Sequence, residues 1–347
     1  MTDSHAHETS PGRKDDSIGR IAELIGGDPM QRLDADMKHV LDVWTAMDRK
    51  PVEQCSAAEA RAQPTLAMAL NRILKDKAVD ASIGMELRLI PGAAGDIRAR
   101  VYTPPTRQAG PLPMILYLHG GGWVIGDLDS YDATPRALAR RCGAIVVSAH
   151  YRQAPEFQFP AAHDDSLAAW QWLIENAEAL GGDPGRVAVA GEGAGANLAV
   201  NIALRAREAG LTRPVHQALI SPMAGGEFTL ASYVENFEAR PLGTPAVRWF
   251  MRKAFRGREE ARDTRIRLAE RSDLGGLPPA TVILAEIDPL RSEGEELADA
   301  LRRSGVWVDC TIYEGVTHQF FGLAQMVNKA MFAQSQVARN LIGAFER

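Results

Sequence analysis

Residues 187–200, VAVAGEGAGANLAV, most constrain what this chain can fold into. An apolar run of strand length enters a glycine-dense turn and leaves it as a small-residue helix. Two kinds of site are built on such a unit. One is the nucleophile elbow, G-x-S-x-G, whose middle residue is a serine. The other is the dinucleotide fingerprint, G-x-G-x-x-G/A, which Gly191, Gly193 and Ala196 satisfy letter for letter. Each demands different supporting residues elsewhere.

The dinucleotide reading, which would make the chain an oxidoreductase, needs an acidic residue at the end of the next strand for the ribose hydroxyls. The next strand, HQALIS, runs instead into Ser221 and Pro222. The fingerprint would also open its domain, whereas this one follows several strands. The elbow reading predicts three features, and all three are present. A glycine loop that frees backbone N–H groups for a developing oxyanion follows the PMILYL strand as HGGGW, 119–123. A carboxylate, Asp288, follows the late strand TVILAEI, on a turn before a helix opened by Ser292 and Glu295. A histidine, His318, follows the last strand in YEGVTHQFFG. Nucleophile, acid, histidine is the chain order of this kind of hydrolytic fold. Taken singly, His119 reads as a turn cap, Asp288 as a helix N-cap and His318 as a satisfied core histidine; their joint order favours the site.

Periodicity supplies the frame. Apolar stripes over 34–47 (Met37, Val40, Leu41, Trp44) and 64–74 predict N-terminal helices. About eight strands follow from Met85: MELRLI, IRARVYTP across the GAAGD turn, PMILYLH, AIVVSAHY, RVAVAG, HQALIS, ATVILAE and VDCTIYE. Helical patterns over 167–180, 196–206, 294–304 and 323–345 alternate with the later strands, which predicts an α/β fold with a mostly parallel sheet covered on both faces. The segment 223–273 breaks the alternation. Its AVRWFMRKAF carries Val247, Phe250, Met251, Ala254 and Phe255 at helical spacing and reads as a cap over the carboxyl ends of the strands, where open α/β sheets bind ligands. The expected organisation is a disordered tail (1–17), a helical cap segment (18–84), a main domain (85–222 with 274–347) and a cap insertion (223–273).

Composition narrows the partners. A formal net charge of −5 gives no reason to expect nucleic acid or an anionic membrane surface. Cys55, Cys142 and Cys310 are scattered, with no CxxC pair, so neither a zinc site nor a disulfide framework is implied and a cytoplasmic location is the default. The polar N-terminus has no apolar core of a signal peptide, and no apolar run reaches membrane-spanning length.

The chain resembles the hormone-sensitive-lipase-like carboxylesterases of the α/β-hydrolase superfamily. The resemblance rests on HGGGW (119–123), DSYDATPRALA (129–139), YRQAPEFQFPAAHDD (151–165), VAVAGEGAGANLA (187–199), LPPATVILAEIDPLRSEG (277–294) and YEGVTHQFFG (313–322). It implies an α/β-hydrolase fold with a helical cap, and hydrolysis of short- to medium-chain acyl esters without metal or organic cofactor. The family's oxyanion-hole donors fall on Gly121, Gly122 and the Ala194 amide, its acid on Asp288, its base on His318. Trp123 and Glu192 are the substrate-binding candidates, although an acidic residue accompanies the elbow serine in this family and so has a structural explanation. A homodimer through 323–345 is compatible with the pattern.

The departure lies at the centre. The family's elbow reads G-[DE]-S-A-G-[GA]-N-L-A, and here the serine position is Gly193. Glycine has no Oγ, so a covalent acyl-enzyme cannot form through it. Ser148 and Ser221 lie near strand ends but on no elbow. Three readings stand: an esterase disabled or engineered at one position, a natural pseudoenzyme that binds a small molecule, and, remotely, the dinucleotide enzyme.

Overall fold

Leu112–Leu118, LPMILYL, is buried along its whole length, so it can only be an interior strand. In the computed structural model, which describes residues 27–75, 82–105 and 110–347, it is β3 of an eight-stranded sheet. The others are β1 (Gly84–Gly92), β2 (Gly95–Thr103), β4 (Ile145–His150), β5 (Gly182–Glu192), β6 (Gln217–Ile220), β7 (Ala280–Ile287) and β8 (Val308–Thr317), in the order β1-β2-β4-β3-β5-β6-β7-β8. β2 runs antiparallel to both β1 and β4; every other pairing is parallel. The eight strands and the mostly parallel α/β sheet expected from the sequence are therefore present.

Successive residues of β3 serve opposite faces. Met114, Leu116 and Leu118 join a core beneath α5 (Ala161–Glu175), α6 (Ala194–Glu208) and α9 (Arg291–Arg303). Ile115 and Tyr117 join a second core beneath α1 (Ala35–Thr45), α3 (Leu66–Leu74), α4 (Ala133–Cys142) and α10 (Asn328–Phe345). The short α2 (Ala57–Arg61) and α7 (Ala231–Glu235), with α8 (Thr244–Ala254), complete the α-helices among the described residues, and the apolar face of α8 packs on the first core. The segment 223–273 thus contributes two α-helices, two 3-10 turns (Glu260–Arg262 and Leu268–Glu270) and irregular chain.

Two helix boundaries differ from expectation. α5 starts at Ala161, six residues before the apolar stripe at Leu167, because its first turns bury polar groups that periodicity does not count. Asp165 is wholly buried and takes Arg152 in a salt bridge at 2.8 Å, and His163 bonds Asn197 at 3.0 Å. α10 starts at Asn328, not Leu323, with a separate 3-10 turn over Phe320–Leu323. The tail expected over 1–17 lies outside the described residues.

The glycines around the elbow have unequal work. A Cβ on Gly191 would run into the carbonyl of Gly195, and one on Gly195 into the carbonyl of Leu118. Both are backbone atoms that cannot swing aside, so α6 lies close against β3 and β5 because these two positions have no side chain. Gly195→Ala is expected to cost about 3 kcal/mol or more, seen as a Tm lowered by about 5 °C or further.

Candidate active site

β5 ends at Glu192 and α6 begins at Ala194, leaving Gly193 alone at the sharp turn, with φ 54° and ψ −115°. The turn is pinned to the neighbouring strand. The Gly193 N–H donates to the Ile220 carbonyl at 2.9 Å, and the Gly193 carbonyl accepts from the Met223 N–H at 3.1 Å. Unlike its neighbours, Gly193 has room: a Cβ built there meets His318 Nε2 at 3.5 Å, its Cε1 at 3.6 Å and Gly120 Cα at 3.9 Å. These are ordinary van der Waals distances.

Asp288 follows β7 and His318 follows β8, and the parallel pairing of the two strands brings them together. Asp288 Oδ2 stands 2.8 Å from His318 Nδ1, while Oδ1 accepts the Leu290 N–H at 2.9 Å. The carboxylate is 1% exposed. Burial of the imidazole works to lower its pKa, but the Asp288 charge and hydrogen bond, with Glu192 adding to them, carry it above the ordinary 6.5. With Nδ1 committed to Asp288, Nε2 faces the elbow.

The loop after β3 forms the opposite wall. Gly121, Gly122 and Trp123 have φ of 93°, 60° and 61°, the left-handed region. Among the described residues, none accepts a hydrogen bond from the N–H of Gly121, Gly122 or Ala194. The loop is braced from beneath: Tyr151 Oη donates to the carbonyls of His119 at 2.8 Å and Gly120 at 3.2 Å. His119 is itself buried, stacked on Tyr151, and bonded to His150 at 3.1 Å. Burial, with the His150 ring beside it, lowers the His119 pKa to about 3, so it braces as a neutral ring.

Gly121, Gly122, Trp123, Glu192, Gly193, Ala194 and His318 line one cavity of about 340 Å³, which reaches up to α1, α3 and α8. A sequence profile described as alpha/beta hydrolase fold matches residues 115–322, which hold the glycine loop, the elbow, Asp288 and His318. The chain belongs to the α/β-hydrolase family. It is 41% identical to carboxylesterase NlhH of Mycobacterium tuberculosis over 238 residues, 68% of this chain and 74% of that protein. It is 34% identical over 284 residues to ethyl acetate hydrolase of Pseudomonas putida, 81% of this chain and 88% of that one. Among solved structures, a serine-to-alanine mutant of an alpha/beta hydrolase enzyme from the metagenome of Lake Arreo, Spain, matches with a TM-score of 0.82. Identity there is 33%, with 91% of this chain and all of that chain (100%) covered.

Within this α/β-hydrolase frame, the remaining sequence candidates find definite places. Glu192 lines the cavity but is 4% exposed; it accepts from Tyr117 Oη at 2.7 Å and Thr134 Oγ1 at 2.6 Å, which ties β5 to β3 and α4. Burial raises its pKa against the pull of those two bonds. Trp123 is 4% exposed and packs edge-on against Phe255, just after α8. Ser148 and Ser221 are buried, and neither lines the cavity.

Sequence reasoning missed the supports. Asn236, just after α7, donates to the Asp288 carbonyl at 3.2 Å and accepts from Arg32 at 2.6 Å, so the N-terminal segment and the segment 223–273 both hold the Asp288 turn. Tyr151 opens the YRQAP motif, and that position was its available signal. Glu293 is wholly buried beneath the segment 223–273. Its carboxylate takes the N–H groups of Ala224 at 2.8 Å and Gly226 at 3.0 Å and meets the Tyr233 hydroxyl, fixing the loop beside Met223. Burial pushes its pKa up from 4.5 to about 7, the hydrogen bonds opposing. The folded chain therefore holds a proton that the unfolded chain releases, and stability from this group is present below pH 4.5 and lost as pH rises towards 7. The loss is about 3 kcal/mol at 1.36 kcal/mol per pH unit. Glu293→Gln, which mimics the protonated carboxyl, is expected to flatten this part of the Tm–pH curve; an unchanged slope would refute the assignment.

Proposed function

We propose that this chain is built as a carboxylic ester hydrolase for short- to medium-chain acyl esters, working by a Ser-His-Asp mechanism, with glycine at the nucleophile position. One observation carries the proposal. The Asp288–His318 pair, bonded at 2.8 Å, aims Nε2 at the place a residue-193 side chain would occupy, 3.5 Å from its Cβ. The names of the relatives, a carboxylesterase and an ethyl acetate hydrolase, support an ester as substrate.

In the serine form, Oγ attacks the ester carbonyl while His318 Nε2 takes its proton. Asp288 holds the imidazole in the tautomer that leaves Nε2 free and stabilises the imidazolium. The N–H groups of Gly121, Gly122 and Ala194 receive the oxyanion; they lie on the loop braced by Tyr151 and at a helix N-terminus, without a competing acceptor among the described residues. His318 then protonates the leaving alcohol, and water repeats the sequence on the acyl-enzyme. Trp123, buried against the cap, shapes the acyl pocket. As written, with Gly193, the chain lacks the attacking oxygen, so its hydrolysis is largely abolished.

The test is Gly193→Ser assayed on a short-chain p-nitrophenyl ester. Robust turnover supports an esterase disabled at a single position. A serine form that stays inert while the chain binds a small molecule tightly would instead make the scaffold a receptor.

A further inference from the structure

The elbow reads GEGAG, and its three glycines are not equivalent. Positions 191 and 195 have backbone carbonyls where a Cβ would go, whereas position 193 opens onto the cavity, with His318 Nε2 at 3.5 Å and Gly120 Cα at 3.9 Å as ordinary neighbours. Glycine at 193 is therefore not forced by packing. What it leaves is a one-carbon pocket between a base and three free N–H donors. From this we infer that the Gly193 chain is an acyltransferase that takes its nucleophile from solution, transferring the acyl group of an ester directly to a small primary alcohol. The inference rests on the acyl-transfer reading of the site given above.

The alcohol that best replaces the side chain of serine is methanol, which has the same carbon and oxygen. Unbonded to Gly193 Cα, its methyl stands roughly 2 Å further out, since carbon atoms in contact are 3.5–4.0 Å apart. The cavity that Gly193 and His318 line has room for it there, and Nε2 takes its hydroxyl. The step balances. The alcohol proton passes to His318 Nε2 as the alcohol oxygen bonds to the acyl carbon. The carbonyl oxygen, now an oxyanion, faces Gly121, Gly122 and Ala194. It reforms the carbonyl as the bond to the leaving oxygen breaks, and the proton on His318 goes to the departing alcohol or, for a phenolate, to solvent. One ester and one alcohol are consumed and one of each is formed, with no change of oxidation state. Because nothing is covalently held by the protein, both substrates must be bound at once, so the kinetics are sequential without a burst. A serine enzyme would instead be ping-pong.

The experiment follows p-nitrophenyl acetate with the chain as it stands, titrated with methanol and, separately, with matched tert-butanol. The p-nitrophenol rate should rise and saturate with methanol, by on the order of 10²-fold, the lower end for a positioned general base. Methyl acetate should form in step with p-nitrophenol. Gly193→Ala, whose methyl fills the pocket, should lose the methanol dependence while keeping the fold. Equal acceleration by tert-butanol, an equal response in Gly193→Ala, or no response to methanol would each overturn the inference. Gly193→Ser separates the two levels: if it hydrolyses the ester while the glycine chain ignores methanol, only the inference falls. If the serine form is also inert, the esterase reading falls with it.

Discussion

Gly193→Ser raises kcat for a short-chain p-nitrophenyl ester by on the order of 10⁶-fold, the amount a serine hydrolase loses with its nucleophile. The size follows from what is already in place. Asp288 and His318 are bonded at 2.8 Å, Gly121 and Gly122 hold left-handed conformations, and the N–H groups of Gly121, Gly122 and Ala194 have no competing acceptor among the described residues. The proposed mechanism then lacks only the attacking oxygen. Before the change, the oxyanion site and binding alone supply about 10³–10⁴ over water. The same substitution has a cost that can be read separately. At φ 54° and ψ −115° a residue with a Cβ is strained by about 1–3 kcal/mol, so the serine form should melt a few degrees lower. Steady-state kinetics and a thermal melt on one preparation check both. A serine form no faster than the glycine chain, or one with a raised Tm, would sink the account of the elbow.

The fold was legible because the interior strands are continuous apolar runs whose alternate residues serve two cores; a sequence can carry that signal locally. The start of α5 was not, because Asp165 and His163 are paid for by Arg152 and Asn197, partners that periodicity cannot see. At the site, His318 and Asp288 were legible through chain order and strand ends. The three elbow glycines looked alike as letters, and only the carbonyls of Gly195 and Leu118 separate the two that must be glycine from the one that need not be. The Arg32–Asn236–Asp288 support was hidden for a different reason. Its members are 204 and 52 residues apart in the chain and meet only when the N-terminal segment and the segment 223–273 pack on the turn after β7.

The second large effect concerns the histidine and is measured in the Gly193→Ser background. Asp288→Asn should lower kcat by on the order of 10⁴-fold, because an amide in that place can hold the ring with its proton on the wrong nitrogen. A pure loss of stability would also lower activity, so the pH profile is the deciding measurement. His318 must be neutral to accept the serine proton, so kcat/KM climbs with pH through the histidine's pKa. With Asp288 present, that acid limb lies above 6.5, since the charge and hydrogen bond outweigh burial. With asparagine, burial continues to disfavour the charged ring while the largest upward influences are gone, leaving only the smaller one from Glu192. The acid limb must therefore move to lower pH even as the plateau collapses. A variant that lost activity with an unmoved limb would mean that Asp288 acts through the fold and not through the imidazole.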